Sequence, residues 1–301
     1  MRRMATAGNF WDDWQRKRDT QEVPGGGRRE WVDWADHPRI LELVLEKVFG
    51  PPRRSLFECL GAAFPQLRSG HALSLCCGDG AFERQLIQTG VLQRVTGIDI
   101  APVRVASAVA AAGLDFQVGD ANSGNFGSQR YDAVIAKAAL HHIECLEPAL
   151  QGVRRALKPG GCLIAIDFFG PTRFQWTDAQ LAAVNRFLAE EVPEPLRRQA
   201  DGTLYSAVRP TLAEMIASDP SEAVRSGEIL ALLRQYFSRL EIRDIGGTLL
   251  QLIFSSSIVN NFDASSPLHN RIVEKAFALE QSLLACGALE ADFKFVAAYA
   301  D

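Results

Sequence analysis

The chain has 301 residues, 47% of them hydrophobic, and a formal net charge of -4. That size suits one large α/β domain with an added cap, or two domains sharing a sheet. Its basic clusters (Arg2-Arg3, Arg28-Arg29, Arg53-Arg54) are short, which excludes a broad basic field for nucleic acid, and no apolar run reaches the length that spans a bilayer.

The start, Met1-Arg2-Arg3-Met4-Ala5, runs on to Trp11-Asp12-Asp13-Trp14 instead of an apolar core, so no secretory signal is expected. Trp11, Trp14, Trp31 and Trp34 crowd the first segment, broken by Pro24-Gly25-Gly26-Gly27. They either pin helices to the core or form a lid beside a glycine hinge. A helix is predicted from Asp36-His37-Pro38, with Ile40, Leu41, Val44, Leu45 and Val48 on one face, ending at Gly50-Pro51-Pro52. A second covers Ser55 to Phe64.

An apolar run from His71 to Cys77 then enters a glycine-rich turn, Gly78-Asp79-Gly80, followed by helical spacing over Ala81 to Thr89. Such a turn serves packing alone, or lets a ligand lie against backbone N–H groups near a helix start. The next strand, Arg94 to Ile100, contains Asp99, about twenty residues on, where an acid meets ribose hydroxyls in nucleotide-binding sheets. An alanine-rich helix, Pro102 to Ala112, leads to a third strand, Leu114 to Val118, and to Gly119-Asp120-Ala121. A fourth strand, Tyr131 to Lys137, runs into Leu140-His141-His142-Ile143. A helix from Leu146 to Leu157 precedes Lys158-Pro159-Gly160-Gly161 and a fifth strand, Cys162 to Phe169.

A long insertion follows. Thr177-Asp178 caps one helix, and Ser218-Asp219-Pro220-Ser221 caps another over Glu222 to Phe237. Arg239 to Ile245 alternates like a strand and ends at Gly246-Gly247. Two apolar helices, Thr248 to Asn260 and Pro267 to Cys286, precede a last strand, Asp292 to Tyr299. The apolar faces of these two helices, including Ile272, Ala276, Leu279 and Leu283, fit either the subunit's own core or a homodimer contact. Six cysteines show no Cys-x-x-Cys pair and no zinc spacing, which suits reduced thiols in a cytoplasmic protein.

Leu73–Gly80, Gly97-Ile98-Asp99, Gly119-Asp120, Tyr131-Asp132-Ala133-Val134, Leu140-His141-His142 and Leu157-Lys158-Pro159-Gly160-Gly161 occur in the order and spacing of one family. From about Leu73 to Phe169 the chain resembles class I S-adenosylmethionine-dependent methyltransferases. A dehydrogenase-type fold would want a third glycine in the first turn.

The resemblance implies an α/β, Rossmann-like, seven-stranded and mostly parallel sheet of order 3-2-1-4-5-7-6. It implies an N-terminal helical cap over 1–70, a cofactor-binding core over 71–170, a helical substrate cap over 171–237, and strands six and seven over 238–301. S-adenosylmethionine would be the cofactor and S-adenosylhomocysteine its product. Ser74, Cys76, Cys77, Gly78, Asp79 and Gly80 would face the methionine part. Asp99, with Ile100, would meet the ribose, Asp120 and Ala121 the adenine, and Lys137 would stand near the methyl group. Two residues depart from the family: Ser74 replaces the usual Asp or Glu, and Cys76 the usual Gly.

The acceptor is expected to be a small molecule, most simply a sugar or metabolite oxygen; carbon or nitrogen transfer, or cofactor binding without turnover, are the alternatives. His141 and His142 are candidate bases, as is Asp167 at the end of strand five. Arg173 could bind an anion, while Phe174, Trp176, Trp11 and Trp14 offer flat faces to a ring. No metal site is expected, since successive histidines seldom point at one ion. The stretches Asp167–Trp176, Asp219–Ser226 and Gly246-Gly247-Thr248 resemble a bacterial subgroup also found fused to glycosyltransferases.

Overall fold

The computed structural model describes residues 33–51, 55–108 and 111–300. Helices α1 (Pro38–Phe49) and α2 (Leu56–Ala63) lead into β1 (His71–Leu75), α3 (Ala81–Gln88), β2 (Arg94–Asp99), α4 (Pro102–Ser107) and β3 (Leu114–Val118). Then come β4 (Tyr131–Lys137), α5 (Leu146–Ala156) and β5 (Leu157–Phe168). The inserted part holds α6 (Asp178–Glu191), α7 (Glu194–Arg197), α8 (Leu212–Ser218) and α9 (Ile229–Tyr236). The chain ends with β6 (Arg239–Gly246), α10 (Leu250–Ile253), α11 (Pro267–Ala285) and β7 (Phe293–Tyr299).

Seven strands form one sheet in the order β3-β2-β1-β4-β5-β7-β6, as the resemblance implies. Strands β1 to β5 run parallel and β7 lies antiparallel between β5 and β6. Both faces are covered, which is why the central strands read as unbroken apolar runs. Ala72, Ala133, Ile135, Ile164 and Phe295 pack on one side; Leu73, Leu75, Val134, Leu163 and Val296 pack on the other.

Trp34 is buried and meets Phe293 edge-on, with ring centroids 5.3 Å apart. Gly247, at φ +75°, lets this pair close, since a Cβ there would stand 2.4 Å from the Phe293 ring. Trp11 and Trp14 lie outside the described residues. Of the apolar faces considered for a homodimer, Leu249, Leu250, Ile253, Phe254, Ile272 and Ala276 are buried in the subunit's own core, while Leu279 and Leu283 are half-buried.

Three predicted helices are shorter than expected. The helix of the second crossover stops at Ser107, because Ala108 turns to extended backbone. The one beginning near Thr248 breaks after Ile253, where Ser255-Ser256-Ser257 intervenes. The third, expected from Glu222, starts only at Ile229; residues 219–225 form a loop in which Ala223 adopts φ +47°.

Two buried carboxylates support the far end of the sheet. Glu280 accepts the N–H groups of Gly247, Leu249 and Leu250 at 3.0, 2.7 and 3.1 Å, filling the donors that the start of α10 leaves open. Glu280→Ala should therefore strand three buried donors and cost about 3 kcal/mol, read from urea unfolding.

Asp292 accepts from Gln180 and Gln251, and burial with nearby Glu280 pushes its pKa up to about 7, against the attraction of Lys294. The folded value lies above the ordinary 3.8, so the ionisation penalty is absent in acid, grows as pH rises, and is complete above 7. Asp292→Asn should gain stability relative to the parent between pH 5 and pH 8, by at most about 4 kcal/mol. A difference that does not change with pH would contradict this.

Candidate active site

The first three strands end beside one another. Cys77 N–H donates to Ile98 O at 3.0 Å, and Gly78 N–H to Asp99 Oδ2 at 2.8 Å. Ala101 N–H donates to Asp99 Oδ1 at 2.9 Å, and Gly119 N–H to the Asp99 carbonyl at 2.9 Å. One carboxylate thus fastens the glycine turn to the end of β2. Each of its oxygens carries one backbone donor and has capacity for another.

Gly78 and Gly80 hold positive φ, +59° and +71°. A Cβ on Gly80 would stand 2.3 Å from the Phe116 ring, and one on Gly78 2.4 Å from Arg104 Nη2. Arg104 therefore lies across the turn, held there by a flexible side chain that can swing aside. Cys76 takes φ +52° without being glycine, and burial pushes the thiols of Cys76 and Cys77 upward. Asp79 Oδ1 accepts Ala81 N–H, and Ile100 is half-buried beside Asp99.

Asp120 caps a short 3-10 turn (Ala121–Ser123): its Oδ1 accepts both the N–H and the side-chain amide of Asn122 at 2.9 Å. Ala121 is buried behind it.

Ser74 is buried and donates its hydroxyl to Glu83 Oε1 at 2.6 Å. Glu83 belongs to the first turn of α3, so the carboxylate missing from β1 arrives from the neighbouring helix. Burial raises its pKa, with Ser74 acting against the rise. Lys137 is exposed and lies 5.6 Å from the centroid of the Phe82 ring.

A second cluster forms where β4 and β5 exit. Ala139 and Leu140 N–H both donate to Asp167 Oδ2 at 2.8 Å, and Phe168 N–H to Oδ1 at 2.8 Å. His141 Nδ1 stands 2.5 Å from the same Oδ1, and its Nε2 is 3.4 Å from Glu222 Oε1. Asp167 is only 1% exposed, so it positions His141 and the chain around it instead of facing an acceptor directly. Burial lowers the His141 pKa, but Asp167 and Glu222 outweigh it and the net shift is upward. Burial and its neighbour His141 hold His142 well below the usual imidazole range.

The loop bearing Glu222 is clamped in place. The Arg173 guanidinium donates to the carbonyls of Pro220 and Glu222 at 2.8 and 3.0 Å, so this arginine tethers the loop instead of presenting an empty fork to an anion. Arg225 grips Glu147 through two bonds of 2.7 Å, Ser226 Oγ donates to Gly170 O, and Val224 N–H to His141 O. Phe174 and Trp176 stack at 5.2 Å with planes 7° apart, and Phe168 meets Phe174 edge-on. Trp176 Nε1 is buried without an acceptor among the described residues.

The structure thus brings together Gly78, Asp99 and Asp120, and separately His141, His142 and Asp167. It adds Glu83, Asp219, Ser221 and Glu222, which sequence reasoning did not place. Only for the last three was there a signal, the distinctive run Asp219–Ser226.

A methyltransferase domain family matches residues 73–165. A methyltransferase of Mycobacterium tuberculosis, itself uncharacterised, is 32% identical over 119 residues, covering 38% of this chain and 59% of that protein. The malonyl-[acyl-carrier protein] O-methyltransferase of Enterobacter lignolyticus is 30% identical over 145 residues, 46% of this chain and 57% of that protein. This chain thus spans less than two thirds of the length of the curated relatives it matches. A phosphoethanolamine N-methyltransferase of Haemonchus contortus, solved with S-adenosylhomocysteine, shares the fold at TM-score 0.51 and 16% identity, covering 90% of this chain and 61% of that one. Motif order, sheet order and the domain match agree: residues 73–165 carry a methyltransferase domain, set in a seven-stranded sheet of the class I methyltransferase order.

Proposed function

We propose that the protein binds S-adenosylmethionine across the ends of β1, β2 and β3 and methylates a hydroxyl oxygen of a small acceptor, a sugar or a secondary metabolite. The observation that carries the cofactor reading is the bond from Gly78 N–H to Asp99, which puts a bare backbone turn and a carboxylate side by side. The remaining lone pairs of Asp99 suit two ribose hydroxyls. Asp120, engaged among the described residues only through Oδ1, suits an exocyclic amine.

The bound sulfonium supplies an electrophilic methyl group. The protein has to hold the acceptor in line, exclude water and take up one proton. Buried Phe168 and the Phe174–Trp176 stack wall off the exit of β5. The hydroxyl proton leaves toward the cluster of His141, His142 and Glu222. An O-methyltransferase among the relatives supports oxygen as the target. Six cysteines, none of them joined in a disulfide, support a cytoplasmic setting.

Glu83 takes the role of the family's carboxylate near the methionine end. Glu83→Gln should weaken S-adenosylmethionine binding about tenfold in calorimetry; an unchanged Kd would remove it from the site. The competing reading, cofactor binding without turnover, draws on the side chain at Cys76 and on Arg104 over Gly78. It predicts heat on titration with S-adenosylmethionine but no label transferred from a methyl-labelled cofactor to any member of a sugar and phenol panel. Methylated product from that panel selects the transferase reading.

A further inference from the structure

We propose that His141, His142 and Glu222 together bind a divalent transition-metal ion of the zinc type. One ring nitrogen of each histidine and a Glu222 carboxylate oxygen all lie within 4.8 Å of one another. Ligands about 2.0–2.2 Å from one ion stand about 3.3 Å apart in a tetrahedron and at most about 4.4 Å apart across an octahedron. His141 Nε2 and Glu222 Oε1 already stand 3.4 Å apart, so small side-chain rotations complete the set.

The hydrogen bonds around the histidines fix which nitrogens carry protons. Asp167 is a carboxylate at 2.5 Å from His141 Nδ1, so Nδ1 donates and Nε2 is the nitrogen left for an ion. Nε2 faces Glu222, and the place between the two is taken by a proton or, in exchange for it, by a metal ion. Ser221 has a single hydroxyl proton, which goes to Asp219 Oδ1 at 2.7 Å. Its oxygen therefore accepts from His142 Nδ1 at 3.2 Å, which makes Nε2 the basic nitrogen of that ring. Each imidazole is thus backed by a carboxylate, Asp167 directly and Asp219 through Ser221, the arrangement found behind metal-bound histidines.

Adjacent histidines rarely share an ion because neighbouring side chains diverge. Here the 3-10 turn (Leu140–His142) brings the two ring centroids to 4.1 Å at an angle of 43°. Arg173 and Arg225 hold the third ligand's loop rigid from the other side. Two imidazoles and one carboxylate suit Zn2+ or Fe2+ and are too poor in oxygen for Ca2+ or Mg2+. Three protein ligands leave a position for water or for an acceptor oxygen, and in the ion-bound protein the three side chains would acidify that oxygen through the ion instead of taking its proton themselves. That role rests on the function proposed above; the binding itself does not.

The test is titration of the chelator-treated full chain with Co2+, followed in the visible spectrum, and with Zn2+ by calorimetry. The expected result is one ion per chain at micromolar Kd or tighter. His142→Ala and Glu222→Gln should each weaken it by at least about 100-fold, and Asp219→Asn by about tenfold. Circular dichroism checks that each variant is folded. No uptake by the folded parent protein, or equal affinity in folded Glu222→Gln and His142→Ala, overturns the site. A parallel titration with S-adenosylmethionine keeps the two readings apart. Heat with the cofactor and none with metal defeats the ion alone; heat with metal and none with the cofactor supports the ion and defeats the transferase reading.

Discussion

Asp99→Ala is expected to lower S-adenosylmethionine affinity by at least about 100-fold. Two hydroxyl donors on one carboxylate contribute about 1.5–3 kcal/mol each, and about 3 kcal/mol is already two orders of magnitude in Kd. The same carboxylate fastens Gly78 and Ala101, so the turn also loosens when it is removed. Asp99→Asn separates these effects. It keeps the side chain's shape and one of the two backbone bonds, sets its amide against the other buried donor at a cost of about 1–3 kcal/mol, and should stay folded at room temperature while binding about tenfold more weakly. Equal affinity of the parent and both variants would show that the acid plays no part in holding the cofactor.

Asp167→Asn should produce the largest loss of stability among substitutions near the site. The parent carboxylate accepts from His141 Nδ1 and from three backbone N–H groups, all buried. An amide presents two donors of its own to those donors, so at least one buried pair is left facing like to like. A cost of about 3–5 kcal/mol is expected, read as a lower urea midpoint with an unchanged slope. Because His141 loses the partner that sets its tautomer, methyl transfer should also fall, by about 100-fold or more, with little change in acceptor KM. Parent-like stability would mean that the network is not formed in solution.

The sheet was legible because its signals are local or repetitive. Parallel strands buried on both faces must be continuously apolar, and β3 and β4 match their predicted bounds. Gly78 and Gly80 announce themselves because an L side chain there would strike Arg104 or Phe116. What the sequence hides is set by tertiary ties. Residues 219–228 carry a helix cap and helical spacing, yet Arg173, Arg225 and Ser226 hold the loop to the segment after β5 and to α5, and Ala223 turns left-handed. Without that loop Glu222 would not reach His141. Glu83 likewise reads as an ordinary first-turn acid until folding sets it against Ser74. Asp167 reads as a free base until its two oxygens are counted against their donors.

A crystal structure of the full chain with S-adenosylhomocysteine would examine the cofactor site most directly. It should show the ribose hydroxyls on Asp99, the adenine beside Asp120 and Ala121, the sulfur over the Cys76–Gly80 turn, and Arg104 swung clear of Gly78. Ligand bound anywhere else, or a saturated crystal in which Arg104 still covers the turn and the crevice stays empty, would contradict the whole account.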